Sequence, residues 1–393
     1  MSENTSQPTA AVHWIGAGLS SGPGIMALAR QGVRLTVWDM TSDRAEMLNS
    51  HLDPTNRFEI GLLDLNDAAR LDHFCSALSK GDIIISMLPA AFHVQVAKLA
   101  LAHYCHMVTS SYLSDDMLAL QDEACAKGLS IVNEVGLDPG IDHLFTHVLV
   151  DAARTAGVLD QGHAIDFISY CGGIPVENTP FTYKFSWTPL GVMTALKNPA
   201  RMIKNGAPHD IARAWEEVTS LDLDGETFEV YANRNSLPYV DEYGLGNEKN
   251  LRTFVRGTLR LNGWKNAWKD IFATVEHADL DELKSLSDTL WRDHPYKKGE
   301  QDRVVLHVAL TATPNDGGAP WHGSLSLDHA GADLNSAMAT CVSLTVAQAV
   351  MAVAEGRLAP GVQPSPHDVG EAKRWLQALS SQGLPIKSDN VSL

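Results

Sequence analysis

A short apolar run at residues 11–15 stops at Gly16-Ala17-Gly18-Leu19-Ser20-Ser21-Gly22 and gives way to a helical pattern reaching about Gln31. Few folds suit a chain that passes from strand to helix through two close glycines. The glycines allow a tight turn, and the free N–H groups and dipole at the helix start face whatever occupies it. Further strands are expected at 33–38, 58–63, 83–88, 106–109 and 129–132. The run at 83–88 is almost wholly apolar, as in a strand buried on both faces. Helical patterns lie between them, including 92–103 and 114–127, the latter opening at Ser114. This alternation predicts an α/β fold, a Rossmann doubly wound parallel sheet, over residues 1–134.

The pattern changes after about Ile141. A helix is expected at 141–156, then strands at 165–170, 183–187, 228–231, 254–261, 304–313 and 324–327. Long strands without a helix between each pair predict a mixed sheet. Residues 270–291 read as helical and 293–301 as a loop. Residues 336–355 form a helix too apolar for a surface. The expected organisation is thus a second, mixed α/β domain for substrate binding and oligomerisation at 135–330. C-terminal helices at 331–393 are expected to pack back on the Rossmann domain.

Hydrophobic residues make up 45% and charged residues 20% of the 393, enough for a large core. The net charge of −17 disfavours nucleic acid and anionic membrane as partners. No unbroken apolar run approaches the roughly 18–20 residues that span a bilayer. The first ten residues lack the basic and apolar regions of a secretory signal. Five scattered cysteines read as reduced thiols. A cytoplasmic location is expected.

At the glycine turn the candidate cofactor contacts are Gly16, Gly18, Leu19 and Ser20. The third glycine is one position late for G-x-G-x-x-G, and Pro23 follows it. An ordinary strand-to-helix turn is the competing reading, but strand, helix and a well-placed acid agree. That acid is Asp39, 23 positions after Gly16 at the end of the second strand. A carboxylate there accepts ribose hydroxyls and repels the extra phosphate of NADP, so NAD is expected and NADP less so. Arg44 nearby is the residue that could serve NADP. A solvated strand-end acid is the bland alternative.

The second half carries motifs. Asn133-Glu134-Val135-Gly136-Leu137-Asp138-Pro139-Gly140-Ile141-Asp142-His143 resembles N-E-[IV]-G-L-D-P-G-I-D-H of the L-glutamate-forming saccharopine dehydrogenases, also called saccharopine reductases. In order with it come Val108-Thr109-Ser110-Ser111-Tyr112, Ser169-Tyr170-Cys171-Gly172-Gly173-Ile174-Pro175, Tyr183-Lys184-Phe185-Ser186-Trp187, Tyr231-Ala232-Asn233-Arg234-Asn235-Ser236 and Arg256-Gly257-Thr258-Leu259-Arg260. The resemblance implies oxidative cleavage of saccharopine, or its reverse, with NAD(P), in lysine metabolism.

It further implies substrate contacts at Ser111, Tyr112, Asp138, Arg234, Arg256, Gly257 and Thr258, and catalytic support from Asp138, Cys171 and Tyr112. Cofactor contacts carried over by position are Asp64, Leu65, Leu88, Ser110, Ser111, Leu137, Asp138 and Pro139. Arginine suits a tricarboxylate because its planar fork binds bidentately. The bland readings are a structural salt bridge for either arginine, turn chemistry for Asp138 and a buried small hydrophobe for Cys171. Ala90 and Leu190 depart from the fungal pattern, which has Tyr and Arg there. Asp39-Met40 replaces its Cys-Arg.

His143 and His147, spaced i, i+4, and the cluster of His103, Cys105 and His106 lack evident third and fourth ligands, so no metal is expected. No G-x-S-x-G elbow is present. A homodimer acting on a small molecule is expected. Alternatives are a related C–N dehydrogenase, of lysine dehydrogenase or carboxynorspermidine synthase type, and a non-catalytic dinucleotide-binding regulator.

Overall fold

The computed structural model describes residues 10–393. The first nine residues, part of the stretch read for a secretory signal, lie outside the described residues. The chain divides into two compact units. One comprises the residues up to His143 together with Ala339–Pro366, and the other Leu144–Met338 with His367–Leu393. The C-terminal segment is therefore shared between the two units.

The first unit is built on β1 (Val12–Ile15), β2 (Leu35–Asp39), β3 (Glu59–Leu62), β4 (Ile83–Ser86), β5 (His106–Val108) and β6 (Ser130–Val132). A seventh strand, Gly361–Gln363, comes from the distant C-terminal segment and pairs with β6. All pairings are parallel, and from one edge the order is Gly361–Gln363, β6, β5, β4, β1, β2, β3. The strand order reverses between β4 and β1, the switch point at which such sheets bind ligands beyond the carboxyl ends of their strands. β1, β4 and β6 are wholly buried, which explains their largely apolar sequences. The core beneath includes Trp38, Phe74, Ile84, Val96, Met107 and Ile131.

The glycine turn leads into the helix Gly22–Arg30. A Cβ at Gly24 would lie 2.3 Å from the Ser343 carbonyl oxygen, and the Ser343 hydroxyl accepts from the Gly24 N–H at 2.8 Å. Gly24 therefore permits the close approach to the helix Ala337–Ala354 that a third fingerprint glycine would serve against its own neighbour. That helix is 18 residues long and apolar enough to span a bilayer. Ser, Thr and Gln interrupt its sequence, so it holds no unbroken apolar run of that length. In the fold 78% of it is buried.

The second unit carries a nine-stranded mixed sheet. β7 (Ala164–Pro175) is central. β8 (Ala200–Lys204) and β9 (Ala207–Ile211) form a hairpin, as do β10 (Thr219–Leu223) and β11 (Glu226–Ala232). β12 (Leu251–Leu261) runs parallel to β7 and antiparallel to β11. β13 (Gln301–Thr313) pairs antiparallel with β7 and with β14 (Trp321–Ala332), and Ile386–Asp389 closes the edge.

Three local expectations need correction. Residues 183–187 are not a strand. Tyr183 and Phe185 are buried in a cluster with Trp264 and Trp268, so their apolar spacing reflects side-chain packing without a ladder. The helical stretch at 270–291 is two helices, Lys269–His277 and Leu280–Asp293. Asp279 and Glu282 form a capping box that starts the second, because their carboxylates satisfy the otherwise orphaned N–H groups. Residues 114–127 likewise break into Asp115–Leu118 and Gln121–Lys127.

Candidate functional site

The first-unit residues singled out from sequence gather just beyond the carboxyl ends of the parallel strands. Gly16 follows β1 with φ +95°. A Cβ there would lie 2.8 Å from the Met87 carbonyl oxygen, so only glycine fits between the ends of β1 and β4. Gly18 has open space around its Cα, and Leu19 is exposed. Ser21 closes the turn by donating its hydroxyl to the Gly16 carbonyl at 2.8 Å. A turn with one glycine wedged in place, another open, and a helix starting at Gly22 fits a pyrophosphate.

Asp39 ends β2. Its carboxylate accepts from the Ala17 N–H at 2.8 Å and the Met40 N–H at 2.7 Å, which ties it to the glycine turn. Two cations approach this rim. Arg70 donates to the Met40 carbonyl at 3.1 Å. Arg44 is half-buried, which lowers its pKa against the opposing pull of Asp39.

Asp64 and Leu65 follow β3, and both are half-buried; Asp64 caps its own loop at the Asn66 N–H, 2.9 Å. Leu88 follows β4 and packs against the core. Ser110 and Ser111 follow β5, and the Ser110 hydroxyl faces the Met87 sulfur at 3.7 Å. Leu137, Asp138 and Pro139 follow β6, with Leu137 and Pro139 buried and Asp138 half-buried. The Tyr112 hydroxyl donates to Asp138 Oδ1 at 3.1 Å, joining the residues after β5 to those after β6. Below this pair, buried Glu134 accepts from the Leu113 N–H at 2.9 Å and contacts His143 at 3.1 Å. Asp142 accepts from the Gly140 N–H at 2.7 Å. Glu134 and Asp142 thus brace the turn, while Asp138 meets Tyr112.

One residue that sequence reasoning gave no role joins this group. His93 lies at the start of the helix His93–Ala102, with Nδ1 2.9 Å from the Ser86 hydroxyl and Nε2 2.7 Å from the Ser111 hydroxyl. Burial pushes its pKa down to about 4, so the ring is neutral near pH 7. One nitrogen then donates and the other accepts, which fixes the Ser111 hydroxyl through the ring. Its sequence signal is its place in Leu88-Pro89-Ala90-Ala91-Phe92-His93, which resembles I-P-Y-T-F-H of the fungal pattern.

The remaining candidates lie in the second unit. Cys171 is buried in β7 between Thr258 on β12 and Leu306 on β13. Arg256 is 6% exposed, with its guanidinium 3.9 Å from the Tyr239 ring centre. Gly257 has a packing reason: a Cβ would lie 2.4 Å from the Tyr231 carbonyl oxygen and 2.5 Å from the Tyr170 ring. Thr258 is half-buried. Arg234 is exposed, with φ +56°, and its carbonyl accepts from the Arg201 N–H at 2.8 Å. Leu190 packs against the aromatic cluster around Trp264, so an apolar side chain fits that position.

Residues 12–132 match the family described as the saccharopine dehydrogenase NADP binding domain, and residues 136–384 match the saccharopine dehydrogenase C-terminal domain. The saccharopine dehydrogenase [NADP(+), L-glutamate-forming] of Pyricularia oryzae is 36% identical over 318 residues, covering 78% of this chain and 67% of that protein. The Schizosaccharomyces pombe protein of the same name is 26% identical, covering 96% of this chain and 98% of its own. The mitochondrial alpha-aminoadipic semialdehyde synthase of rat is 31% identical over 262 residues, and only 27% of its length is covered. Among solved structures, the apo L-Glu-forming saccharopine dehydrogenase of Saccharomyces cerevisiae superimposes with TM-score 0.78 and 25% identity over 97% of this chain and all of that one.

Proposed function

Because the chain belongs to the saccharopine dehydrogenase family, we propose that it oxidises the secondary amine of saccharopine with a nicotinamide dinucleotide. Water then hydrolyses the resulting imine to L-glutamate and α-aminoadipate semialdehyde, or the reaction runs in reverse, in lysine metabolism. The observation that carries this reading is the Tyr112–Asp138 contact at the carboxyl ends of the parallel sheet, made by two separate motifs of the family.

A bound dinucleotide would supply the acceptor for the hydride of the lysine-side carbon attached to the bridging nitrogen. Gly16, Gly18, Leu19 and Ser20 would hold its phosphates, and Asp39 its ribose. Asp138, fixed by the Tyr112 hydroxyl, supplies a carboxylate that can take the proton of the bridging ammonium before hydride leaves. Neutral His93 keeps the Ser111 hydroxyl aimed. Arg234, exposed and cationic, is assigned to a substrate carboxylate. Arg256, buried with its guanidinium over the Tyr239 ring, is assigned to shaping its unit.

NAD is the dinucleotide we assign. Asp39 is held at the end of β2 by two backbone N–H groups, and the exposed Met40 stands where the fungal pattern has arginine. We further assign a homodimer and, from the five cysteines scattered along the chain, a reducing, cytoplasmic setting.

The test follows nicotinamide absorbance with saccharopine, lysine and carboxynorspermidine side by side, using NAD and NADP in turn. Turnover of saccharopine is expected. Turnover of lysine or carboxynorspermidine instead would replace the substrate, and none with any amine would favour a non-catalytic dinucleotide-binding protein.

A further inference from the structure

A side-chain cluster that the oxidoreductase reading does not use lies within the second unit. His147 belongs to the helix Ile141–Thr155, Glu242 ends the helix Pro238–Glu242, and His367 sits in the loop before the helix Val369–Ser381. Each offers one ligand atom, and the three atoms lie within 4.8 Å of one another. His367 Nε2 is 3.6 Å from Glu242 Oε1, within reach of an ion pair though longer than a hydrogen bond. The rings of His147 and His367 have centres 4.6 Å apart at 37°. His147 is buried, and the Tyr243 ring meets it edge-on at 5.6 Å and 90°. The side chains of Glu242 and His367 are 24% and 48% exposed. The cluster therefore has a fixed inner ligand and an open outer side.

We propose that His147, Glu242 and His367 bind one divalent transition cation of borderline softness, Zn²⁺ by preference, with water in the fourth position. Two imidazoles and one carboxylate are the donors such a cation prefers. Tetrahedral donors at bonds of about 2.0–2.1 Å lie roughly 3.3 Å apart. The His367–Glu242 spacing is already close to that, and His367, on an exposed loop, can close the rest. The i, i+4 pairing of His143 with His147 is not the site. His143 engages Glu134, and the partners of His147 come from positions far along the chain. Such a cation ties two helices and the loop before a third together, so its role is to stabilise this unit.

The test uses untagged, chelator-stripped protein with its thiols alkylated, because exposed Cys125 would otherwise compete for zinc. Zn²⁺ titrated against a chromophoric chelator should bind one ion per chain and raise the melting temperature. Co²⁺ should give the intense visible bands of a four-coordinate site. His367→Ala, an exposed loop change, and Glu242→Gln, which keeps the side-chain shape, should each weaken binding by more than the roughly tenfold that an outer-shell change costs and abolish the melting shift. No stoichiometric Zn²⁺ binding in the parent chain, or binding undiminished in both variants, overturns the proposal. If His367→Ala lowers the metal-free melting temperature, Glu242→Gln decides.

Discussion

His93 shows how one side chain couples position to pH. Its pKa is about 4 in the folded chain, against 6.5 when solvated. Between those values the unfolded chain binds a proton that the folded chain excludes. Stability is therefore full above about pH 6.5 and falls as the pH drops toward 4. A shift of this size corresponds to about 3 kcal/mol. His307, also pushed down to about 4 by burial, contributes to the same fall. His93→Gln should lose less stability than the parent chain between neutral pH and about pH 4, measured by urea unfolding; an equal loss would sink the assignment. Arg234→Ala should lower kcat/KM for saccharopine at least roughly tenfold. Its affinity for NAD should stay within about threefold, a change below roughly 0.7 kcal/mol. Unchanged saccharopine kinetics, or equal loss of both ligands with a lower melting temperature, would make Arg234 a structural residue. The motif made Arg234 a legible candidate. His93 was not one, because a lone histidine at a helix start reads equally well as core, and nothing in local spacing couples it to Ser111.

Among the elements, the strand–turn–helix at the start of the first sheet is the most informative. Gly24→Ala would push a Cβ against the Ser343 backbone, which cannot rotate away as a side chain could. Overpacking of this kind costs about 1–3 kcal/mol, so a lower melting temperature and weaker dinucleotide binding are expected together. A variant as stable as the parent would show that the two helices separate easily. At the end of β2, Asp39→Ala should narrow the preference for NAD, read as the ratio of kcat/KM for NAD and NADP. A parent chain that clearly prefers NADP would instead assign Arg44 and Arg70 to the extra phosphate. The inner parallel strands were readable because burial on both faces leaves largely apolar runs. The stretch at 183–187 misled for the same reason: aromatic residues buried against Trp264 and Trp268 look like a strand whether or not a ladder forms.

For the molecule as a whole, the proposed chemistry sets a pH dependence that no single side chain dictates. The bridging amine must lose its proton before hydride can leave, so saccharopine oxidation should accelerate as the pH rises above neutrality. A rate that falls there while the enzyme stays folded would contradict the proposed reaction. Sequence alone determined the doubly wound sheet, the mixed sheet after it and the family, because strand and helix periods are local and the motifs occur in order. It also placed the cofactor candidates, since residues after parallel strands must lie at their carboxyl ends. Only the tertiary structure brought His93 to Ser111 and gathered His147, Glu242 and His367. It alone added Gly361–Gln363 as a seventh strand and shared the C-terminal segment between the two units. Periodicity reports that a side chain is buried, whereas its neighbour is chosen by packing between segments far apart in the chain.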